Sequence, residues 1–146
     1  CMSKGLAAPI GSLVCGSNKF INKVRRNRKA LGGGMRQAGI IAAAGLMAIN
    51  TLNTQIIEDH KNAQILARGI SQIKGLSIQL KNIKTNIIYF ELDTTKISGE
   101  KLVSEMEKVG VKFFETSSNR FRLVTHYGIT EKDIQFTLSR LNSIIV

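Results

Sequence analysis

Apolar positions along this chain fall into segments of different period. In "NKFINKVRRNRKA", Phe20, Ile21 and Val24 recur at helical spacing, while Lys23, Arg25, Arg26 and Arg28 fill the other faces. That pattern predicts an amphipathic helix. Gly32-Gly33-Gly34 ends it, because three glycines carry a high entropy cost inside any helix. The following "RQAGIIAAAGLMAINTLN" is apolar almost all round and predicts a buried helix, with Gly39 and Gly45 admitting close neighbours. Polar residues 50–54 predict a bend. Upstream, "APIGSLVCGS" predicts a short buried strand over residues 10–15, bounded by glycines.

Beyond the bend the pattern becomes a compact α/β alternation. "IIEDHKNAQILARGISQI" fits an amphipathic helix with Ile56, Ile57, His60, Ala63, Ile65 and Leu66 near its inner side. "GLSIQL" and "NIIYFEL" predict strands, the second rich in residues that fit a pleated, half-buried surface. Ser98 is placed to cap "GEKLVSEMEKVG", and Gly110 to follow it as the C′ residue. "VKFFET" and "RFRLVTH" predict two strands joined through "SSN". In the second, alternation puts Arg120, Arg122, Val124 and His126 on one face and Phe121, Leu123 and Thr125 on the other. Thr130 caps a last helix, "EKDIQFTLSRLNSIIV", with acids in its first turn. Two domains are expected: residues 1–53, a glycine-rich basic segment with linking helices, and residues 54–146, a small α/β domain.

Charge sharpens this division. The chain of 146 residues carries a net +11, yet all ten acids lie at or after Glu58, and the eight Lys or Arg before it stand without one. Such asymmetry marks a surface that meets an anion: a phosphorylated cofactor, an acidic surface or nucleic acid. The longest apolar run, residues 38–49, falls short of the roughly 20 residues a membrane-spanning helix needs. No signal-peptide pattern opens the chain. Cys1 and Cys15 have neither CxxC spacing nor a histidine cluster, so no metal site is expected and a reducing, cytoplasmic setting fits. His60 and His126 lack a Ser, Cys or Asp partner at recognisable spacing, which argues against a nucleophile triad.

The chemistry concentrates at three places. "CMSKGLAAPIGS" sets Lys4 among Ser3, Gly5, Ala7 and Ala8, small neighbours that leave an amine room to approach a flat ring. "RRNRKALGGGMRQAGIIAAAGL" joins basic residues to the glycine turn, and "RLVTH" carries Arg122. In this order and spacing the three motifs resemble the L-threonine aldolases, a family within the β-eliminating lyase group of fold-type I enzymes that use pyridoxal 5′-phosphate (PLP). The resemblance runs the length of the chain. It implies an α/β fold: the end of the large PLP-binding domain, a linking helix and a small C-terminal domain. Members of the family are more than twice as long, so the chain is expected to be their C-terminal part.

By the same resemblance Lys4 is the catalytic lysine and holds PLP covalently, and Arg122 grips the substrate α-carboxylate. A planar fork suits that task better than lysine does. Lys29 and Arg36 match basic residues near the active site of the family, and backbone N–H groups of a glycine turn beside Lys or Arg suit a phosphate. Ser3 is expected to hydrogen-bond that phosphate, so Ser3, Lys29 and Arg36 join Lys4 as the expected cofactor-binding residues. The activity implied is cleavage of L-threonine or L-allo-threonine to glycine and an aldehyde. A homo-oligomer, a dimer of dimers with sites at subunit interfaces, is also implied. Groups that pair the pyridine nitrogen, stack on the ring and bind most of the phosphate lie upstream of the lysine in the family. Without that half the chain is expected to be inactive. The nearest alternative is another PLP enzyme of the group, a phenylserine aldolase or β-eliminating lyase. A basic nucleic-acid-binding module is the alternative from another class, but the aromatic residues are not interleaved with the cationic run as stacking platforms would be.

Overall fold

Helix-forming spacing in the first third produces two exposed helices in the computed structural model, which describes residues 1–93 and 95–145. Ser17 caps α1 (Asn18–Ala30) by accepting from the Phe20 N–H. Helix α2 spans Gly39–Thr51. The chain divides into two compact units, Cys1–Gln55 and Ile56–Val146.

Two expectations for the first unit are overturned. Residues 10–15 form no strand: Gly11 has φ +123°, outside strand geometry, and Ile10, Leu13 and Val14 are exposed with no pairing partner among the described residues. Helix α2 is not buried either. Only Ala48 is covered, and Ile40 and Met47 are 85% and 68% exposed. Gly39 faces open space, whereas Gly45 lies 3.6 Å, measured from a built Cβ, from the Met2 Cε. An all-round apolar helix needs cover on every side, and the described part of this unit supplies one small cluster of Met2, Ala8 and Ala48 with Leu6 at its margin.

The second unit has two layers. Helix α3 (Gln55–Ile70) leads into β1 (Leu76–Ser77), a 3-10 turn at Leu80–Asn82 and β2 (Ile87–Leu92). Helix α4 (Gly99–Lys108) precedes the hairpin β3 (Phe114–Ser117) and β4 (Arg120–Val124), and α5 (Glu131–Ile145) follows. Val146, the last residue of the expected final helix, lies outside the described residues. The four strands form one antiparallel sheet in the order β1-β2-β4-β3. Alternation gives the sheet one apolar face: Ile88, Phe90, Leu92, Phe121 and Leu123 are buried with Leu66, Ile70, Leu102, Met106, Ile134 and Leu141 of the helices. Phe90, Phe113 and Phe121 pack with ring centroids 5.2–5.8 Å apart.

The predicted caps are present. Ser98 accepts from the Lys101 N–H, and Gly110 takes φ +85° after α4. Thr130 and Asp133 close the start of α5 reciprocally: Asp133 Oδ2 accepts from the Thr130 N–H and hydroxyl at 2.7 and 2.6 Å. The inner line of α3 differs from expectation. Ile57 is 67% exposed, while Asp59 and Asn62 are buried beside Ala63, Leu66, Ala67 and Ile70. The Asn62 side chain is satisfied there, its Nδ2 donating to the Ile129 carbonyl at 3.0 Å, and the Thr125 hydroxyl donates to the backbone carbonyl of Asp59 at 2.6 Å. These bonds tie the end of β4 and the start of α5 to α3.

Candidate cofactor and substrate site

The loop that carries Lys4 is folded back on itself. The Met2 N–H donates to the Gly11 carbonyl, the Ala8 N–H to the Met2 carbonyl and the Ala7 N–H to the Lys4 carbonyl, at 2.9, 3.0 and 2.9 Å. Met2 and Ala8 are buried in the cluster with Ala48 of α2, on either side of an exposed Lys4. Ala7 sits at φ +49°, a left-handed conformation that a small side chain bears more easily than a branched one. The amine is therefore presented at the tip of a pinned turn. Ser3, next to it, is exposed, and its hydroxyl lies 3.3 Å from the Cys1 sulfur.

At the end of α1 the glycine turn uses its backbone donors internally. Leu31 and Gly33 N–H groups donate to the Asn27 and Arg28 carbonyls, and Gly32 to the Lys29 carbonyl. Gly32 has φ +82°, so the turn is a helix C-cap of the kind glycine favours. The expectation that these N–H groups wait for a phosphate is thus corrected for Gly32 and Gly33. A helix C-terminus also carries negative partial charge, which repels an anion. What the turn offers an anion is side-chain charge. The Lys29 side chain lies against Gly34, so closely that a Cβ there would collide with its Cδ, and Arg36 is exposed beyond the turn.

Arg122 stands on the other unit, in β4, on the sheet face away from the core. It is half-buried, and its Nε is buried without a hydrogen-bond partner. A guanidinium nitrogen held out of water without an acceptor is costly unless something arrives to accept from it. The neighbouring Arg120 differs. Its guanidinium lies 4.9 Å over the Tyr89 ring, and its Nε is 4.0 Å from Glu91. Pairing places Tyr89 of β2 and Phe114 of β3 directly opposite Arg122 on its two sides. Sequence reading did not join these residues; strand alternation was the signal, but only the register makes them neighbours. His126 is exposed, its Nδ1 2.9 Å from the Tyr127 carbonyl.

Comparison with known proteins gives the family of the chain. The beta-eliminating lyase family matches residues 1–93. The chain belongs to that family. Low-specificity L-threonine aldolase 1 of Arabidopsis thaliana is 41% identical over 140 residues, covering 95% of this chain and 39% of that protein. Alanine racemase TOXG of Cochliobolus carbonum is 35% identical over 135 residues, covering 87% of this chain and 33% of its own length. The chain thus spans well under half the length of the curated relatives it matches. Among solved structures, ureidoglycine-glyoxylate aminotransferase of Bacillus subtilis aligns over 99% of this chain and 45% of its own, with TM-score 0.65 and 15% identity. A C-DES variant with glycine covalently linked to its PLP cofactor aligns over 72% of this chain and 28% of its own, with TM-score 0.59 and 19% identity. The architecture is the α/β fold of the fold-type I enzymes.

Proposed function

We propose that this chain is part of a PLP-dependent carbon–carbon lyase that cleaves β-hydroxy-α-amino acids, L-threonine and L-allo-threonine among them, to glycine and an aldehyde. The observation that carries this reading is 41% identity to a low-specificity L-threonine aldolase across 95% of the chain. The residues fit the cofactor. PLP is an aldehyde with a phosphate group, and Lys4 offers an exposed amine on a pinned turn of small residues. Lys29 and Arg36, with Ser3 as a hydroxyl donor, supply charge and hydrogen bonds for the phosphate. PLP, when bound, supplies the electron sink that lowers the barrier to breaking bonds at Cα.

This chain's own residues then have separate tasks. Lys4 would hold the cofactor through its amine. Arg122 accepts the α-carboxylate in its fork and fixes the orientation of Cα, so that the bond to be broken is chosen by position. The expected homo-oligomer, the remaining part of the polypeptide as partner and the cytoplasmic setting belong to the same proposal.

The test is reductive trapping. Incubation with PLP, borohydride reduction and peptide mapping should place the label mainly on Lys4, and Lys4→Ala should remove it. Equal labelling of many surface lysines, unchanged in Lys4→Ala, would sink the assignment. A racemase reading also has an observation behind it, the 35% identity to TOXG. Product analysis separates the two: glycine and aldehyde from L-threonine mark a lyase, and D-alanine from L-alanine marks a racemase.

A further inference from the structure

Two arginines point outward from β4, and their surroundings differ. Arg120 is already engaged, with Tyr89 under its guanidinium and Glu91 at 4.0 Å. Arg122, two residues on, has a buried Nε with no acceptor. Its row of the sheet reads Tyr89–Arg122–Phe114 across β2, β4 and β3. Directly opposed residues on one face of an antiparallel pair stand about 5 Å apart at Cβ. Both rings are outward and water-accessible, Tyr89 at 39% and Phe114 at 68% exposure. Both rings lie outside the core that Ile88, Phe90, Phe121 and Leu123 form on the other face of the sheet.

We infer that Tyr89 and Phe114 are positioning residues that wall Arg122 on both sides, exclude water from its stem and hold its fork outward for a planar carboxylate. The inference rests on the reading of Arg122 as the α-carboxylate clamp and deepens it by naming what pre-organises that clamp. Two flat walls limit the rotamers open to a long side chain, so less freedom is lost when the carboxylate binds. Removing water from the stem also strengthens the charge-assisted hydrogen bonds made at its end. The ring of Tyr89 does this work, and its hydroxyl is dispensable. Arg120, on the same strand face, serves as the internal reference in the parent and in Phe114→Leu, where its contact with the Tyr89 ring is untouched.

The experiment follows arginine modification rather than turnover. The whole chain is treated with phenylglyoxal, and the rates at Arg122 and Arg120 are read by peptide mapping over a range of glycine concentrations. Glycine is expected to protect Arg122 and leave Arg120 unchanged. In Tyr89→Leu and in Phe114→Leu the concentration giving half protection should rise about tenfold, the scale of one lost pre-organising contact. Tyr89→Phe should protect like the parent. Thermal unfolding of each variant confirms that the sheet is intact, a readout the proposed role does not move. Protection of the parent with unchanged half-protection in both Leu variants overturns the walls and leaves the Arg122 clamp standing. Loss of protection in Tyr89→Phe assigns the effect to the hydroxyl and also overturns the inference. Glycine that protects neither arginine in the parent overturns the clamp itself and the walls with it.

Discussion

Helix α2 and strand β2 are both built largely from apolar residues, yet they end in opposite environments. In β2 the burial alternates, with Ile88, Phe90 and Leu92 inside and Ile87, Tyr89 and Glu91 outside. In α2 only Ala48 is covered, and Ile40, Leu46 and Met47 are exposed. A strand of period two needs cover on one side, and three helices provide it. A helix apolar on all faces needs neighbours all round, and the first unit offers it one small patch. Hydropathy alone thus records what a segment can bury, and partners decide what it does bury. The same contrast separates the units chemically: the first holds a pinned amine and cations without an acid of their own unit, the second a closed core and, among the described residues, a buried guanidinium nitrogen without an acceptor.

The largest test of that contrast is a matched truncation in each region. Phe121→Ala removes a fully buried ring from the aromatic triad and should cost about 3–5 kcal/mol. Leu46→Ala, on the exposed face of α2, should stay within about 0.5 kcal/mol. Urea unfolding of both variants checks this, and similar losses would show that α2 is as well packed as the sheet.

Glycines give a smaller effect whose sign should reverse. At Gly69 in α3 a Cβ would collide with the Leu138 side chain, which packs against the core, so Gly69→Ala should cost about 1–2 kcal/mol. At Gly39, the first residue of α2, nothing lies within 4 Å, and Gly39→Ala should gain a few tenths of a kcal/mol, less than the roughly 1 kcal/mol of a helix interior. Circular dichroism and melting curves read both, and a stabilising Gly69→Ala would refute the close approach of α3 and α5.

The smallest effect is on pH dependence. The Thr130 hydroxyl, and then its backbone N–H, hold the Asp133 carboxyl below the usual carboxylate range. A carboxyl depressed by folding stabilises the fold above its unfolded pKa, about 3.9, and loses that contribution as pH falls through the lower folded value. The parent should therefore lose slightly more of its melting temperature on acidification than Asp133→Asn does. Equal acid sensitivity in the two would mean that the cap contributes nothing.

Much of the second unit was legible in the sequence. Alternation in "RFRLVTH" sorted its residues between the two faces of β4, and Ser98, Gly110 and Thr130 marked helix ends through local hydrogen bonding and backbone preference. The differences share a cause. Hydropathy predicts burial for residues 10–15 and α2, but it carries no information about whether a partner surface exists. Local periodicity does not predict the buried Asn62, because burial of a polar side chain depends on a partner far along the chain, here the Ile129 carbonyl. The proposed site residues Lys4, Lys29, Arg36 and Arg122 are nameable from motifs, whereas the internal use of the glycine-turn N–H groups is not.

By itself, then, the sequence determined the helices, the central strand and the hairpin of the second unit with its caps, and the separation of a basic first segment from a balanced second one. Those properties depend on neighbours within a few positions, where propensity, period and charge act directly. Only the tertiary structure decided that Lys4 sits at the tip of a turn pinned by Met2 and Ala8, that Arg120 is engaged while Arg122 keeps a buried Nε without a partner, and that Tyr89 and Phe114 flank it. Each of these depends on strand register or on packing between distant segments, which a one-residue slip would change while leaving the local signals intact.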